Sequence, residues 1–385
     1  MASFAANPIR TVISPGRYVQ GKGAIHAVGH HLKAIGSTPL FVADDLVWGL
    51  VGHDVETSLK EAGLALARER FGGVPSAVEI DRLVGVIAEK GADVVVAVGG
   101  GSTIDAVKAA GHLAGIRWAN CPTVASTDAP TSALAVIYTE TGEFEEYRFF
   151  PRNPDLVLVD SQIVANAPVS LLVAGVGDAL ATWLEARATS RSGSATMAGG
   201  LPTLTGTALA QLSWDVLWES ALPAIEAVKD HQVTPAVEKV IEANTLLSGL
   251  GFESGGLAAA HAIHNGLTAV PGTHGLAHGQ KVNIGSVTQL VLEGAPTSDV
   301  REFIEFTTRV GLPTTLSEVG LSSDDLGSLR TVANAATVPG ETIHAMPFDV
   351  RSEDVVSALA SIERYATKVR AEAGLAAPKR YTAHH

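Results

Sequence analysis

The pattern of apolar and polar positions changes character once along the chain. From about Thr38 to Asp160, short β-branched runs alternate with stretches of helical period. Thr38-Pro-Leu-Phe-Val-Ala-Asp44 reads as a strand ending in an acid, and Asp54 to Glu69 as an amphipathic helix. Val78 to Lys90 is a second predicted helix with Val78, Leu83, Val84, Ile87 and Ala88 on its buried stripe, and Asp93-Val-Val-Val-Ala-Val98 is a strand apolar on both faces. Such a strand belongs inside a mostly parallel sheet covered by helices, so this half is expected to be a doubly wound α/β domain. Leu156-Val-Leu-Val-Asp160 is the last clear strand. Pro168 then opens a succession of helices, clearest over 173–187, 204–222, 235–250, 257–268, 282–292 and 354–371, which predicts an all-α second half. The domains are accordingly expected at 1–165 and 166–385. The terminal Tyr381-Thr-Ala-His-His385 has no period and is expected to fray.

Composition narrows what these domains can do. With 27 Lys plus Arg against 40 Asp plus Glu, the net charge of −13 argues against a nucleic-acid or anionic-membrane partner, whose phosphates attract clustered cations. Hydrophobic residues make up 46% of the 385, which raises the question of a membrane span. No run approaches the roughly 18 uninterrupted apolar residues a span requires. The nearest, Ala167 to Leu184, is interrupted by Gly175, Gly177 and Asp178. Pro8 and Pro15 break the N-terminal stretch where a signal peptide would be apolar, so export is not expected. The single cysteine, Cys121, excludes an intrachain disulfide framework and a thiolate metal cluster, and fits a reducing cytoplasm.

Three places carry candidate chemistry. Val98-Gly-Gly-Gly-Ser-Thr-Ile-Asp105 joins the apolar strand to a helix, and three glycines followed by a helix N-terminus make an anion-sized cradle suited to a pyrophosphate. The alternative is a tight turn in which Ser102 or Thr103 caps the helix. The polar loop Cys121-Pro-Thr-Val-Ala-Ser-Thr-Asp-Ala-Pro-Thr-Ser132 follows another strand, at the same end of the sheet as the glycine turn. Its Asp128 can orient a polar substrate or cap a helix. In the second half, His261 and His264 share one helical face, and His278 follows in Thr273-His-Gly-Leu-Ala-His278-Gly-Gln-Lys281. Two imidazoles and a carboxylate suffice for a catalytic divalent cation with an open position, and Asp178, in an apolar helix, is the candidate carboxylate. Satisfied helix histidines are the competing reading, and His274 is taken as a bystander.

Five motifs in order, Gly99–Asp105, Ala125-Ser-Thr-Asp-Ala-Pro130, Gly177-Asp-Ala-Leu-Ala-Thr-Trp183, Ala260-His-Ala-Ile-His-Asn-Gly266 and His278-Gly-Gln-Lys281, resemble the metal-dependent, iron-containing alcohol dehydrogenases, and among them the glycerol dehydrogenases. The similarity runs from about Pro15 to Ala371. It implies a dehydroquinate synthase-like architecture: a Rossmann-like NAD-binding domain, a helical domain and a cleft between them. Zinc would be held by Asp178, His261 and His278. NAD would be contacted by Asp44 near the ribose, by Gly100, Gly101, Ser102, Thr103 and Asp105 at the pyrophosphate, and by Thr123, Ser126, Ser132, Leu134 and Tyr138. Asp128 would contact substrate, and His264 would lie by the nicotinamide and metal without ligating. The activity implied is NAD-dependent oxidation of glycerol and related vicinal diols to dihydroxyacetone-type ketones by a cytoplasmic homo-oligomer, commonly an octamer. Glycerol-1-phosphate dehydrogenase and a dehydroquinate synthase-like lyase are the alternatives. This chain has Ser102 where the family often has Lys, and Gln280 where it often has Glu. It also lacks the aromatic residues common before His278.

Overall fold

The computed structural model describes residues 9–141 and 144–378, so the Tyr381–His385 expectation and Pro8 lie outside the described residues. Eight strands are β1 (Tyr18–Gly21), β2 (Pro39–Ala43), β3 (Ala67–Arg70), β4 (Val94–Gly99), β5 (Arg117–Pro122), β6 (Leu134–Tyr138), β7 (Phe144–Phe149) and β8 (Leu156–Asp160). The helices are α1 (Val28–Lys33), α2 (Asp45–Ala62), α3 (Ala77–Lys90), α4 (Gly101–Leu113), α5 (Ser161–Asn166), α6 (Val169–Ser192), α7 (Leu204–Lys229), α8 (Pro235–Glu242), α9 (Ser248–Gly255), α10 (Ala259–Thr268), α11 (His278–Leu292), α12 (Thr297–Val310), α13 (Leu326–Ala336) and α14 (Ser352–Ala373). They form two compact units. One contains residues 13–169 and 226–249, the other 9–12, 170–225 and 250–378 among the described residues.

The first unit is built on a six-stranded sheet in the order β1-β8-β5-β4-β2-β3, every neighbouring pair parallel, with β6 and β7 forming a separate antiparallel pair. The central strands are buried along their whole length, and alternation sends their side chains to two different cores. Leu40, Val42, Val95 and Ala97 pack with Ile80, Leu83 and Ile87 of α3 and Ile104 and Val107 of α4. Phe41, Ala43, Val94, Val96 and Val98 pack with Val28 and Leu32 of α1 and Val51, Val55 and Leu59 of α2 on the other face. Helices therefore cover both faces, the doubly wound arrangement expected of strands apolar on both sides.

Three local expectations are corrected here: Val78 and Ala88, expected on the buried stripe of α3, are exposed, and Ile80 is buried there with Leu83 and Ile87. The helix expected over 54–69 runs from Asp45 to Ala62, because Asp44 caps it by accepting a hydrogen bond from the Val47 amide at 2.8 Å and Gly63, at φ 71°, ends it. Ala67–Arg70 is instead the edge strand β3, whose charged sequence, suited to an exposed edge, carries no apolar alternation.

The second unit is helical. One helix among the described residues, α6, is long and apolar enough to cross a bilayer, and 78% of its apolar window is buried in protein. α7 continues through Pro223 to Lys229, beyond the segment expected over 204–222. The helices at the candidate metal site pack backbone to backbone. A Cβ on Gly279 would fall 1.7 Å from the Ala174 carbonyl oxygen, one on Gly177 would fall 2.5 Å from that of Gly279, and one on Gly285 would fall 2.2 Å from that of Ala260. Glycine at these positions lets α6, α10 and α11 approach to a distance that any side chain would prevent.

Candidate functional site

In the sheet unit the candidate residues gather at the carboxyl ends of parallel strands. β2 leads through α2 outward to β3, whereas β4 leads through α4 to β5 on the opposite side, so the chain reverses direction across the β2–β4 pair. Crevices at such reversals are where open α/β sheets bind ligands. Asp44 stands at the end of β2 and Gly99–Gly101 at the end of β4. Thr123 follows β5, its amide donating to the Gly99 carbonyl at 3.1 Å. Gly100 is the N-cap of α4 and no side chain caps it, so the capping alternative for Ser102 and Thr103 does not hold. A Cβ at Gly100 or Gly101 would reach Val124 or Thr127 at 3.5 and 3.6 Å, so bare backbone and helix amides front this turn.

Asp105 turns away from that turn into the interior. Its carboxylate pairs with Lys108, fully buried, at 3.2 Å and accepts from the Val136 amide at 3.2 Å. Lys108 also donates to the Ala129 carbonyl at 2.8 Å and to Ser132 at 3.3 Å, pinning the loop that carries Asp128. A second anchor comes from a π-helical turn, Ala243–Leu247. Asn244 donates to the Ala125 carbonyl at 3.0 Å, the Thr245 carbonyl accepts from Thr131 at 2.9 Å, and Ser248, just beyond, donates to the Asp128 carboxylate at 2.7 Å. Ser126 and Leu134 are half-buried, as is Tyr138, where burial and Asp105 push the phenol up to about 12. Burial likewise pushes the Cys121 thiol up to about 12, which leaves it unreactive.

In the helical unit Asp178, His261 and His278 converge, their ligand atoms all within 4.8 Å of one another. His278 Nε2 lies 3.0 Å and His261 Nε2 3.3 Å from the same oxygen, Asp178 Oδ1. Burial raises the Asp178 carboxyl, but the His278 and His261 rings outweigh it and hold it well below the usual carboxylate range. Burial lowers the His261 imidazole, but Glu185 and Asp178 carry it well above its ordinary value. A fully buried acid facing two imidazole nitrogens is a donor set that suits a borderline divalent cation.

His264 is close without joining this set. Its ring centroid is 4.1 Å from that of His278, and its Nδ1 lies 3.1 Å from Asn265 Oδ1. Burial, with His278 and Lys281 nearby, pushes it well below its ordinary value, so the ring is neutral near pH 7. Burial also pushes the Lys281 ammonium, one turn beyond His278, down to about 8. The His274 ring lies 2.9 Å from the Thr268 carbonyl oxygen, and the residue is exposed. Gln280, where the family often has Glu, accepts from the Ala277 amide at 3.0 Å, a role in starting α11 that an amide oxygen fills as a carboxylate would.

Glu185 escaped the sequence reading. It is fully buried two turns after Asp178 on α6 and bonds His261 Nδ1 at 2.5 Å. The available signal was a second acid on the same face of an apolar helix. Ser248, Asn244 and Lys108 were missed for a different reason, since their roles depend on contacts far away in sequence.

A model of the iron-containing alcohol dehydrogenase family matches residues 15–161. Glycerol dehydrogenase of Escherichia coli O6:H1 is 50% identical over 92% of this chain and 97% of its own length. Glycolaldehyde reductase of Halobacterium salinarum is 48% identical over 93% of this chain and 98% of its own. The crystal structure of glycerol dehydrogenase from Schizosaccharomyces pombe superposes with a TM-score of 0.93 at 38% identity, covering 97% of this chain and 95% of that one.

Proposed function

Because the chain belongs to the iron-containing alcohol dehydrogenase family, we propose that it oxidises glycerol and related vicinal diols, passing hydride to NAD and giving dihydroxyacetone from glycerol. The observation that carries this reading is the convergence of Asp178, His261 and His278 in a chain half identical to a glycerol dehydrogenase over nearly its whole length. Membership of the family implies a nicotinamide cofactor and a divalent metal. We take the metal to be zinc, the location to be cytoplasmic and the assembly to be a homo-oligomer.

When bound, such a cation polarises a substrate hydroxyl and brings its pKa toward neutrality. Asp178, His261 and His278 would hold it, and one carboxylate with two neutral imidazoles would leave the cation a net positive charge with which to stabilise a developing alkoxide. Asp128, fixed by Ser248, accepts a hydrogen bond from a substrate hydroxyl. The α4 N-terminus and Gly100–Thr103 bind the pyrophosphate through backbone amides; Thr123, Ser126, Ser132, Leu134 and Tyr138 line the rest of the nucleotide path. Asp105 supports this path from inside through Lys108 rather than by touching the cofactor. Asp44 binds the ribose hydroxyls and repels a 2′-phosphate, which favours NAD over NADP. His264, neutral and next to His278, flanks the reacting carbon without adding charge.

The test is a steady-state screen of glycerol, 1,2-propanediol and 2,3-butanediol with NAD and added zinc, with glycolaldehyde and NADH as a separate arm. We expect glycerol-dependent NADH formation, with kcat/KM at least tenfold lower for NADP. Preference for glycolaldehyde reduction over diol oxidation would move the assignment toward the Halobacterium salinarum relative. Turnover with no net NADH would point to a lyase. A strong preference for a phosphorylated polyol would point to glycerol-1-phosphate oxidation.

A further inference from the structure

Every N–H at the start of α10 is satisfied by one of two buried side chains, and one of those same side chains grips the His261 ring. Glu185 Oε1 accepts from the amides of Ala258 at 2.8 Å and His261 at 2.9 Å, while Gln289 Oε1 accepts from Ala259 at 3.1 Å and Ala260 at 3.0 Å. Gln289 is in turn bound to Glu293 at 2.9 Å, and Glu293 to Arg187 at 2.5 Å. The helix has no side-chain cap of its own, so its first turn is held from α6 and α11. The second oxygen of Glu185, Oε2, lies 2.5 Å from His261 Nδ1. A carboxylate can only accept, so Nδ1 must carry the proton.

We propose that Glu185 is a positioning residue that fixes the tautomer and orientation of His261, so that Nε2 offers its lone pair to a cation shared with Asp178 and His278. The inference rests on the metal-centre reading given above. One carboxylate divides its two oxygens between two tasks: Oε1 sets where α10 begins, and Oε2 sets which nitrogen of the ring is the ligand. Partners in this position hold a ligating imidazole in register and raise its basicity. Substitution Glu185→Gln separates the tasks. Its carbonyl oxygen keeps both amide hydrogen bonds, because the reverse orientation would set an NH₂ against two N–H donors. Its NH₂ then faces Nδ1 and donates to it, which moves the ring proton to Nε2, the nitrogen aimed at the cation.

The experiment compares metal-free wild type, Glu185→Gln and His261→Ala. Zinc affinity is measured by competition with a chromophoric chelator, and thermal unfolding is recorded without metal. Glu185→Gln is expected to bind zinc about 10- to 100-fold more weakly than wild type, with a metal-free Tm within a few degrees of it. Wild-type zinc affinity in Glu185→Gln would overturn the proposal. Equal zinc binding by wild type and His261→Ala would instead overturn the metal-centre reading itself. Should Glu185→Gln fail to fold, ¹⁵N-histidine NMR of the zinc-loaded wild type decides: a proton on Nδ1 with Nε2 ligated supports the proposal, and ligation through Nδ1 refutes it.

Discussion

Lys281 shows most plainly how function and stability pull against each other at one residue. It lies one turn beyond His278 on α11 with 8% of its surface exposed, and burial holds its ammonium at about 8. In the unfolded chain the same group titrates near its ordinary 10.5, so between these values the unfolded chain binds more protons and stability rises with pH. The penalty is complete below pH 8 and gone above about 10.5. Lys281→Met, which keeps the stem, is therefore expected to stabilise the metal-free protein at pH 7 by up to about 3 kcal/mol. In denaturant titrations that advantage should shrink steadily from pH 8 to 10.5, and a pH-independent advantage would show that the ammonium is not the source.

Among the elements, the helices of the candidate metal site approach one another at glycines that leave no room for a Cβ. Gly279→Ala would put a methyl group 1.7 Å from the Ala174 carbonyl oxygen and 3.0 Å from the Asp178 amide, both backbone, so α6 and α11 would have to separate. The expected loss is about 3 kcal/mol or more in denaturant unfolding, together with weakened zinc binding as Asp178 and His278 part. Gly85 in α3 is the control: a Cβ there meets nothing within 4 Å, and Gly85→Ala should stabilise by up to about 1 kcal/mol. If both substitutions behave alike, close helix approach does not build the site. These elements also show what the sequence could and could not reveal. β4 and β8 were legible because strands buried on both faces leave uninterrupted β-branched runs. β3 was not, because Ala67-Arg-Glu-Arg70 sits on an edge where charge is tolerated. α12 and α13 were covered only by the general expectation of helix after helix. Asp178, His261 and His278 were legible as residue types that a metal requires, whereas Glu185 became visible only once α6 placed it against Nδ1 of His261.

At the scale of the whole molecule, the sheet unit borrows a segment from far along the chain. Residues 226–249 pack with 13–169: Tyr18 shares a 2.8 Å hydrogen bond with Thr245, Gln20 donates to Glu238 at 2.7 Å, Ser161 donates to Glu238 at 2.6 Å, and His231 Nδ1 lies 3.0 Å from the Ala165 carbonyl oxygen. Burial, and Glu242 and Glu238, push the Tyr18 phenol far up despite its bond to Thr245, as befits a hydroxyl enclosed by that segment. A fragment of 13–169 alone is thus expected to unfold with little cooperativity, and adding a peptide of 226–249 should raise its Tm by several degrees. Indifference to the peptide would mean the sheet unit is complete without it. No periodicity marks such a loan, because periodicity reports which face of a helix is apolar and not which partner covers it. The chain passes between units at 12–13, 169–170, 225–226 and 249–250, and the third passage falls inside α7. In terms of gene exchange, no single crossover between two relatives can take one unit whole from one parent and the other whole from the second. Any crossover within the described residues mixes helical-unit residues from both parents, so one-point recombination cannot trade whole units, and diversity in substrate should arise by substitution rather than by trading domains.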